Sequence, residues 1–443
     1  MSFSSLTVSP QDYSLITDLY QLTMGACYVG EGLAEKRASF ELFVRRSSYG
    51  YLMAMGLAQG LEYLQQLHFS SEQIQQLQDT GLFNHAPSEF WELLEGKVFT
   101  GDVWAVSEAS PIFANEPLLR VEAPLWQAQL VETYLLNTLN YQTLIATKAA
   151  RMRDIAGDGA KLLEFGTRRA FSPQASLWAA RAALATGFDA TSNVAAALQL
   201  GEVPSGTMAH SLVMAIGSLQ GGEDEAFAAF NRYFPQAPLL IDTYDTVAAA
   251  KRLAEAVQRG SRQVTGVRID SGDIIELSKQ VRSLLPETAI FVSGDLDEGE
   301  IERLLSSGAI IDGYGIGTKL VTGAPINGVY KLVEIDGIPT RKESTSKETY
   351  PGRKQIFRRY QEGKVAKDRL GLMTESPESG ELPLLELVMK NGERIKPVES
   401  LKQLRDRARQ SILSLPDSVR HLHDPDSISV QLSSPLQNLI SNE

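Results

Sequence analysis

Cysteine is nearly absent: Cys27 stands alone among 443 residues. One thiol cannot form an intrachain disulfide or a cysteine-based metal cluster, and a chain without a disulfide framework suits a reducing compartment. Cytoplasmic is therefore the expected location, and Cys27 itself reads as a small buried hydrophobe. Histidine is also scarce, five in all, and no two stand at ligand spacing, which argues against a zinc site. No stretch is long and apolar enough to span a bilayer, and residues 1–11 lack the basic and apolar regions of a signal peptide. Positive charge is in deficit, with a formal net charge of -12. A surface of that sign does not attract nucleic acid or anionic lipid, so small-molecule partners are favoured, with local basic pockets still allowed. Internal repeats are missing too.

What is present is an ordinary folded composition, 43% hydrophobic and 22% charged, in a chain long enough for two or three domains, one of which could be a large barrel. The segment Tyr13 to Gly30 carries a helical stripe, Leu15, Leu19, Leu22 and Ala26, and Ala38 to Arg45 alternates like a strand. From Lys97 to Val121 short strands broken by Gly101, Pro111 and Pro117 suggest a separate β module. After Pro124 an apolar-rich helical region runs to about Ile155 and ends near Gly157, a connector between that module and the next domain.

Between Lys161 and Leu320 short apolar runs alternate with helical stretches. The runs are Leu162 to Phe165, a weak one at Phe188 to Ala190, Gly206 to Ala209, Pro238 to Ile241, Val264 to Ile269, Ala289 to Val292 and Ile310 to Ile316. Strands spaced this way by helices form parallel βαβ units. Ser172-Pro173 opens one helix, which Gly187 closes; Asp297 with Glu300 has the spacing of a capping box, and Gly308 ends that helix. Beyond Asn327 the pattern turns to hairpins, with Asp336-Gly337 as a two-residue turn, and the tail from Val398 reads as a charged helix and then a Pro- and Ser-rich end. The fold class is thus α/β: an irregular parallel barrel over 161–330, an N-terminal α+β domain over 1–125, a helical connector over 126–160 and a C-terminal hairpin and helical extension over 331–443. An open doubly wound sheet is the alternative that pattern leaves standing.

Polar residues gather where these strands end, the face on which both architectures place active sites. They are Glu164, Arg168 and Arg169; Asp189; Thr207 and His210; Asp242; Arg268, Asp270, Ser271 and Asp273; Ser293, Gly294 and Asp295; Gly315, Gly317 and Thr318. Two of the turns, Ser293-Gly294-Asp295 and Gly315-Ile316-Gly317-Thr318, are suited to phosphate: glycine permits close backbone approach, amides can face an anion, and a hydroxyl adds a donor. Both come after the last two strand candidates, where barrels commonly bind phosphate. His210 is the one histidine of this region; His68, His85, His421 and His423 read as surface or core residues. From residues alone, the chain is a barrel enzyme that handles a phosphorylated small molecule.

Several strings then carry a resemblance. Thr17 to Met24 (TDLYQLTM), Phe40 to Arg45 (FELFVR), Glu164 to Ala170 (EFGTRRA), Gly206 to Ser211 (GTMAHS), Gly266 to Asp273 (GVRIDSGD), Gly315 to Thr318 and Gly328 to Leu332 (GVYKL) together resemble nicotinate phosphoribosyltransferases, in order and spacing, to about Tyr360. The tail falls outside the resemblance.

The resemblance implies an ATP-assisted enzyme, classed as a carbon-nitrogen ligase, which joins nicotinate to phosphoribosyl pyrophosphate in NAD salvage. Magnesium would serve the pyrophosphate, and the active sites would lie across a homodimer interface. It implies that Tyr20 stacks on the pyridine ring from the partner subunit, that Arg268 grips the nicotinate carboxylate and that Thr207 lies beside the ring. Gly294, Gly317 and Thr318 would hold the 5-phosphate, with Asp270, Ser271 and Asp295 around the phosphoribosyl group and the two aspartates also as metal-shell ligands. Arg45, Arg151, Arg168 and Arg169 become candidates for pyrophosphate, and His210 the position that ATP phosphorylates. The metal ligands and the carboxylate that orients His210 are not readable. The basic stretch Lys347 to Arg359 either reaches ATP or pyrophosphate or forms a solvated face. A nicotinamide-using enzyme, a decarboxylating quinolinate enzyme and a catalytically silent nucleotide-binding barrel are the rival readings.

Overall fold

The computed structural model describes residues 6–342 and 349–441. The chain forms two compact units, one built from Met1–Leu144, Pro325–Ser400 and Gln410–Glu443, the other from Ile145–Ala324 and Leu401–Arg409.

The first unit centres on a seven-stranded antiparallel sheet ordered Ile338–Pro339, Gly328–Ile335, Arg37–Val44, Pro117–Pro124, Asp102–Val106, Leu385–Lys390 and Glu393–Arg394. Strands from the start of the chain form the middle and strands from its last third flank them. The β run of Lys97 to Val121 is therefore not a module of its own, and the segments 1–125 and 331–443 share one sheet. Pairings across hundreds of residues leave no local trace, which is why alternation alone separated them. The turn Asp336-Gly337 has both residues at positive φ, +51° and +79°, the type expected of a two-residue hairpin.

Arg37–Val44 is buried on both faces beyond its first residue. The polar side of its alternation faces charge: Glu41 Oε2 meets Lys354 Nζ at 2.9 Å, and Arg120 on the neighbouring strand pairs with Glu122 at 2.8 Å. Lys354 opens a second sheet of Glu381–Pro383, Lys354–Gln361, Lys364–Leu372 and Val430–Leu432. Here Arg358 binds both carboxylate oxygens of Asp368 through Nε and Nη2, at 2.9 Å and 2.6 Å, with Glu116 at 3.8 Å.

Cys27 is exposed, contrary to the sequence reading. The helix Leu19–Gly30 buries Gln21, Leu22, Gly25 and Ala26, and Cys27 lies about 100° further round. Leu15 belongs to a separate short helix, Pro10–Leu15, so the stripe is broken before Asp18 and Leu19 is half exposed.

In the second unit six short strands run parallel: β1 (Lys161–Glu164), β2 (Ala190–Thr191), β3 (Leu239–Leu240), β4 (Gly266–Ile269), β5 (Ala289–Gly294) and β6 (Gly313–Ile316). Their order is β2-β1-β6-β5-β4-β3, so the first strand lies beside the last, each later strand except β3 lies beside its predecessor, and β2 and β3 are the two edges. The succession lacks the reversal of a doubly wound sheet. Gly206 to Ala209 joins no ladder; its neighbour Ser205 donates to the Thr191 carbonyl at the end of β2, and Thr207 Oγ1 donates at 2.6 Å to the Pro238 carbonyl before β3. The segment thus spans from one sheet edge to the other.

Helices between the strands begin as their sequences dictate. Ser172 accepts from the Ala175 amide at 3.0 Å, with Pro173 as the first helical residue and Gly187 at the end. Asp297 accepts from the Glu300 amide at 3.0 Å, while Glu300 turns to Arg303 instead of closing the box. Ala249, Ala250, Leu253 and Val281 pack against Leu239, Val267, Ile269 and Ile290 to form the core behind the strands.

Candidate active site

The strand ends of the second unit open on a cleft of roughly 350 Å³. Phe165, Arg168 and Arg169 come from the loop after β1, Thr207 to His210 from the segment between β2 and β3, Arg268 and Asp270 from β4, Ser293 to Asp295 from β5, and Gly315, Gly317 and Thr318 from β6. Side chains far apart in sequence converge because a parallel sheet points all its C-terminal ends one way. Among the strand-end residues Asp273 instead caps the helix Ile274–Leu284, and Asp189 lies elsewhere. It precedes β2 and binds Arg153, Lys161 and the Leu162 amide at the opposite end of the strands.

His210 is the first residue of the helix His210–Gln220 and is partly exposed. Its Nδ1 is 3.1 Å from Thr243 Oγ1, and its Nε2 faces Asp242 Oδ1 at 3.9 Å. The Asp242 side chain is 2% exposed; its Oδ2 accepts from the Asp270 amide at 2.9 Å and from Ser271 Oγ at 2.6 Å, while Oδ1 has no hydrogen-bond partner. A buried carboxylate fixed on one oxygen and open on the other is arranged to orient an imidazole. Sequence placed Asp242 at a strand end without linking it to His210, since their pairing is tertiary. Ser271, expected at the phosphoribosyl group, donates its hydroxyl to Asp242.

Arg268 projects from β4 into the same cleft, and its buried Nε lacks a hydrogen-bond partner. Burial lowers its pKa from the ordinary arginine value, Asp270 and Asp242 act the other way, and the nearby Arg168 lowers it further. A guanidinium already partly desolvated and missing an acceptor is set to receive a carboxylate.

The two glycine turns face the cleft from the last two strands. Gly294 has φ +125°, a conformation that side-chain-bearing residues rarely adopt, and a Cβ there would sit 3.3 Å from the Asp270 carbonyl. Ser293 Oγ donates to Asp270 Oδ1. At Gly317 a Cβ would approach the Phe165 carbonyl at 3.2 Å, and the Leu320 amide bonds back to the Gly317 carbonyl at 3.0 Å. Glu164, fully buried, accepts from the Gly166 amide and from Thr191 Oγ1, which holds the loop bearing Arg168 and Arg169. Burial raises the Glu164 carboxyl above its usual range, and the two hydrogen bonds oppose that.

Not every sequence candidate reaches the cleft. Arg168 and Arg169 line it, but Arg151 is buried on the helix Glu132–Ala156 near Glu298. Tyr20 and Arg45 belong to the first unit, where Tyr20 is 46% exposed and Arg45 lies over the Phe43 ring. The basic stretch is neither solvated nor free, since Arg353, Lys354, Arg358 and Arg359 all bind carboxylates of that unit; Lys347 and Glu348 lie outside the described residues. Among the described residues no group of three or more His, Cys, Asp or Glu is placed to hold a metal ion, and no helix is long and apolar enough to cross a membrane.

Residues 15–140 match the nicotinate phosphoribosyltransferase N-terminal domain, 160–360 the nicotinate phosphoribosyltransferase family and 381–440 the corresponding C-terminal domain. A nicotinate phosphoribosyltransferase of Mycobacterium tuberculosis is 42% identical over 93% of this chain and 89% of its own length. The chain belongs to the nicotinate phosphoribosyltransferase family. The Bacillus subtilis member is 44% identical over 78% of this chain and 73% of its own length. The crystal structure of human nicotinic acid phosphoribosyltransferase superposes with a TM-score of 0.83 at 30% identity, covering 96% of this chain and 99% of that one. The tail, expected to fall outside the resemblance, lies within the family's C-terminal domain. The charged helix expected from Val398 is Leu401–Ser414, whereas the segments after Pro416, such as Val430–Leu432, are too short to read from pattern.

Proposed function

We propose that this chain transfers the phosphoribosyl group of phosphoribosyl pyrophosphate to the ring nitrogen of nicotinate, giving nicotinate mononucleotide and pyrophosphate in NAD salvage. The observation that carries this reading is Arg268, a cation with an unpaired donor in the same cleft as the two glycine turns and His210. The second unit is read as an irregular barrel closed by Ser205 to Ala209, the segment that bonds to both sheet edges, with the active site at its C-terminal mouth.

The ring nitrogen of nicotinate is an unprotonated nucleophile near neutral pH, so attack on the anomeric carbon needs no general base. The protein's contribution is alignment and charge stabilisation as the carbon–oxygen bond to pyrophosphate breaks. Arg268 holds the carboxylate through charge-assisted hydrogen bonds, Thr207 lies beside the ring, and the turns at Gly294 and at Gly317-Thr318 take the 5-phosphate. Arg168 and Arg169, exposed on the cleft rim, receive the leaving pyrophosphate. Tyr20, with its exposed ring, is read as the stacking residue that a second copy of the chain supplies.

ATP enters as a co-substrate through His210. A neutral imidazole nitrogen takes the γ-phosphoryl group, ADP departs, and later hydrolysis of the phosphohistidine draws the transfer toward mononucleotide. Asp242 orients the ring and balances its charge. Magnesium, which keeps most of its ligands from water and phosphate oxygens, fits a cleft offering Asp270 and Asp295 and no complete protein cage; it would neutralise charge on the pyrophosphate. The cytoplasm is the proposed setting, in keeping with the lone thiol.

Steady-state turnover with nicotinate and with nicotinamide, each with phosphoribosyl pyrophosphate, magnesium and ATP, tests the reading. Preference for nicotinate is expected; preference for nicotinamide assigns Arg268 another task, and no release of pyrophosphate with either base makes the chain a silent binder.

A further inference from the structure

Lys148 is a buried cation to which neither sequence pattern nor transfer chemistry assigns a task. It lies on the helix Glu132–Ala156, 8% exposed, and its Nζ donates to the carbonyl oxygens of Lys319 and Thr322, the latter at 2.8 Å. Those carbonyls close the short helical turn Thr318–Val321, whose beginning, Gly317 and Thr318, lines the cleft. The turn is tied from a second side. Lys319 Nζ is 3.5 Å from Asp297 Oδ2, and Asp297 caps the helix Glu298–Ser306, which comes after the other glycine turn at Gly294-Asp295. Glu298, also 8% exposed, supplies the charge opposite Lys148. Burial pushes the Lys148 ammonium down and the Glu298 carboxyl up, and each opposes the shift of the other.

A desolvated ammonium is costly to bury, and an apolar side chain of similar length would fill the same space without that cost. What the ammonium adds is direction. Bonded to the last carbonyls of a helical turn, it fixes where the first amides of that turn point, and it aligns a positive charge with the negative end of the peptide dipoles. An anion received at the beginning of the turn completes the same alignment.

We propose that Lys148, with Glu298 as its counter-charge, is a positioning residue that sets the donor geometry of the Gly317-Thr318 turn for the phosphate of phosphoribosyl pyrophosphate. Through Lys319 and Asp297 it holds this turn in register with the one at Gly294. The inference rests on the reading that these turns bind phosphate.

The test compares Lys148→Met, Lys148→Arg and Glu298→Gln with Thr318→Val in the full-length chain. The readouts are KM for each substrate, kcat, the dissociation constant for ribose 5-phosphate by calorimetry, and thermal melting. In Lys148→Met both the KM for phosphoribosyl pyrophosphate and the ribose 5-phosphate constant should rise about tenfold, with the nicotinate KM within about twofold. Lys148→Arg should recover most of the loss, and Glu298→Gln should reproduce it in weaker form. A folded Lys148→Met with unchanged phosphate affinity overturns the inference, as does an equal loss for both substrates. If Lys148→Met fails to fold, Glu298→Gln decides on the same two constants. Thr318→Val separates the two levels: loss there without loss at Lys148 removes only the positioning role, whereas no loss at Thr318 removes the phosphate turn and the inference with it.

Discussion

Asp242 divides its carboxylate between two duties: Oδ2 is held at 2.9 Å by the Asp270 amide and at 2.6 Å by Ser271, and Oδ1 faces His210 Nε2 at 3.9 Å. The first pair of bonds immobilises the side chain, so the second oxygen presents a fixed negative charge to the imidazole. At 3.9 Å the contact is longer than a hydrogen bond, so the carboxylate acts on the ring through its charge. The carboxylate that sequence could not name for His210 is Asp242. Replacing it by asparagine keeps the shape and removes the charge. Phosphohistidine formation from ATP should fall by about 100-fold, with a much smaller effect on ATP-independent transfer. Quench-flow with γ-labelled ATP measures it, and equal loss in both reactions would make Asp242 a merely structural residue.

His210→Ala is expected to abolish nicotinate-dependent ATP hydrolysis and to leave slow transfer from phosphoribosyl pyrophosphate. Parallel assays of ADP and nicotinate mononucleotide check this, and intact ATP hydrolysis in the variant would refute the phosphohistidine.

Arg268→Ala removes the donor with the unpaired Nε. A charge-assisted pair contributes roughly 1.5 to 3 kcal/mol, so the nicotinate KM should rise about 10- to 100-fold while the KM for phosphoribosyl pyrophosphate changes little. An unaltered nicotinate KM would place the carboxylate elsewhere.

Gly294→Ala forces a side chain into φ +125° beside the Asp270 carbonyl. Strain of that kind costs about 1 to 3 kcal/mol, and relief by turning the backbone would misdirect the amides of the phosphate turn. A raised KM for phosphoribosyl pyrophosphate with a lowered melting temperature is the expected pair of results; a wild-type KM would remove Gly294 from the phosphate site.

In the first unit, burial and the adjacent Asp368 push the Glu116 carboxyl well above the usual range, with Arg358 opposing them. The folded state therefore holds a proton that the unfolded chain has already lost. Its stabilising contribution is present below the ordinary carboxylate range and is lost as pH rises toward the raised folded value. Glu116→Gln should flatten the decline of melting temperature as pH rises above the ordinary carboxylate range, read by thermal melts across a pH series. An unchanged slope would mean that Glu116 is ionised in the fold.

Much of the second unit was legible because its signals are local. Ser172-Pro173, Asp297 and Gly308 mark helix ends whatever the tertiary context, and six of the seven apolar runs became strands. Gly206 to Ala209 was the exception, since its residues bridge two strand edges instead of entering a ladder, and only the pairing partners reveal this. Site residues on strand ends converged as strand direction requires, whereas Arg151 did not, because the face a helix buries depends on what packs against it. The first unit was less readable. Its sheet joins strands from both ends of the chain, and its basic stretch is neutralised by carboxylates such as Glu41 and Asp368 that no spacing rule connects to it.

The most direct measurement is pyrophosphate release from phosphoribosyl pyrophosphate and magnesium, with nicotinate or nicotinamide, with and without ATP, in wild type and Arg268→Ala. Nicotinate-dependent release that ATP stimulates in the wild type, and that needs far more nicotinate in the variant, is the expected result. Release that ignores nicotinate, or an Arg268→Ala chain as sensitive to nicotinate as the wild type, would contradict the account.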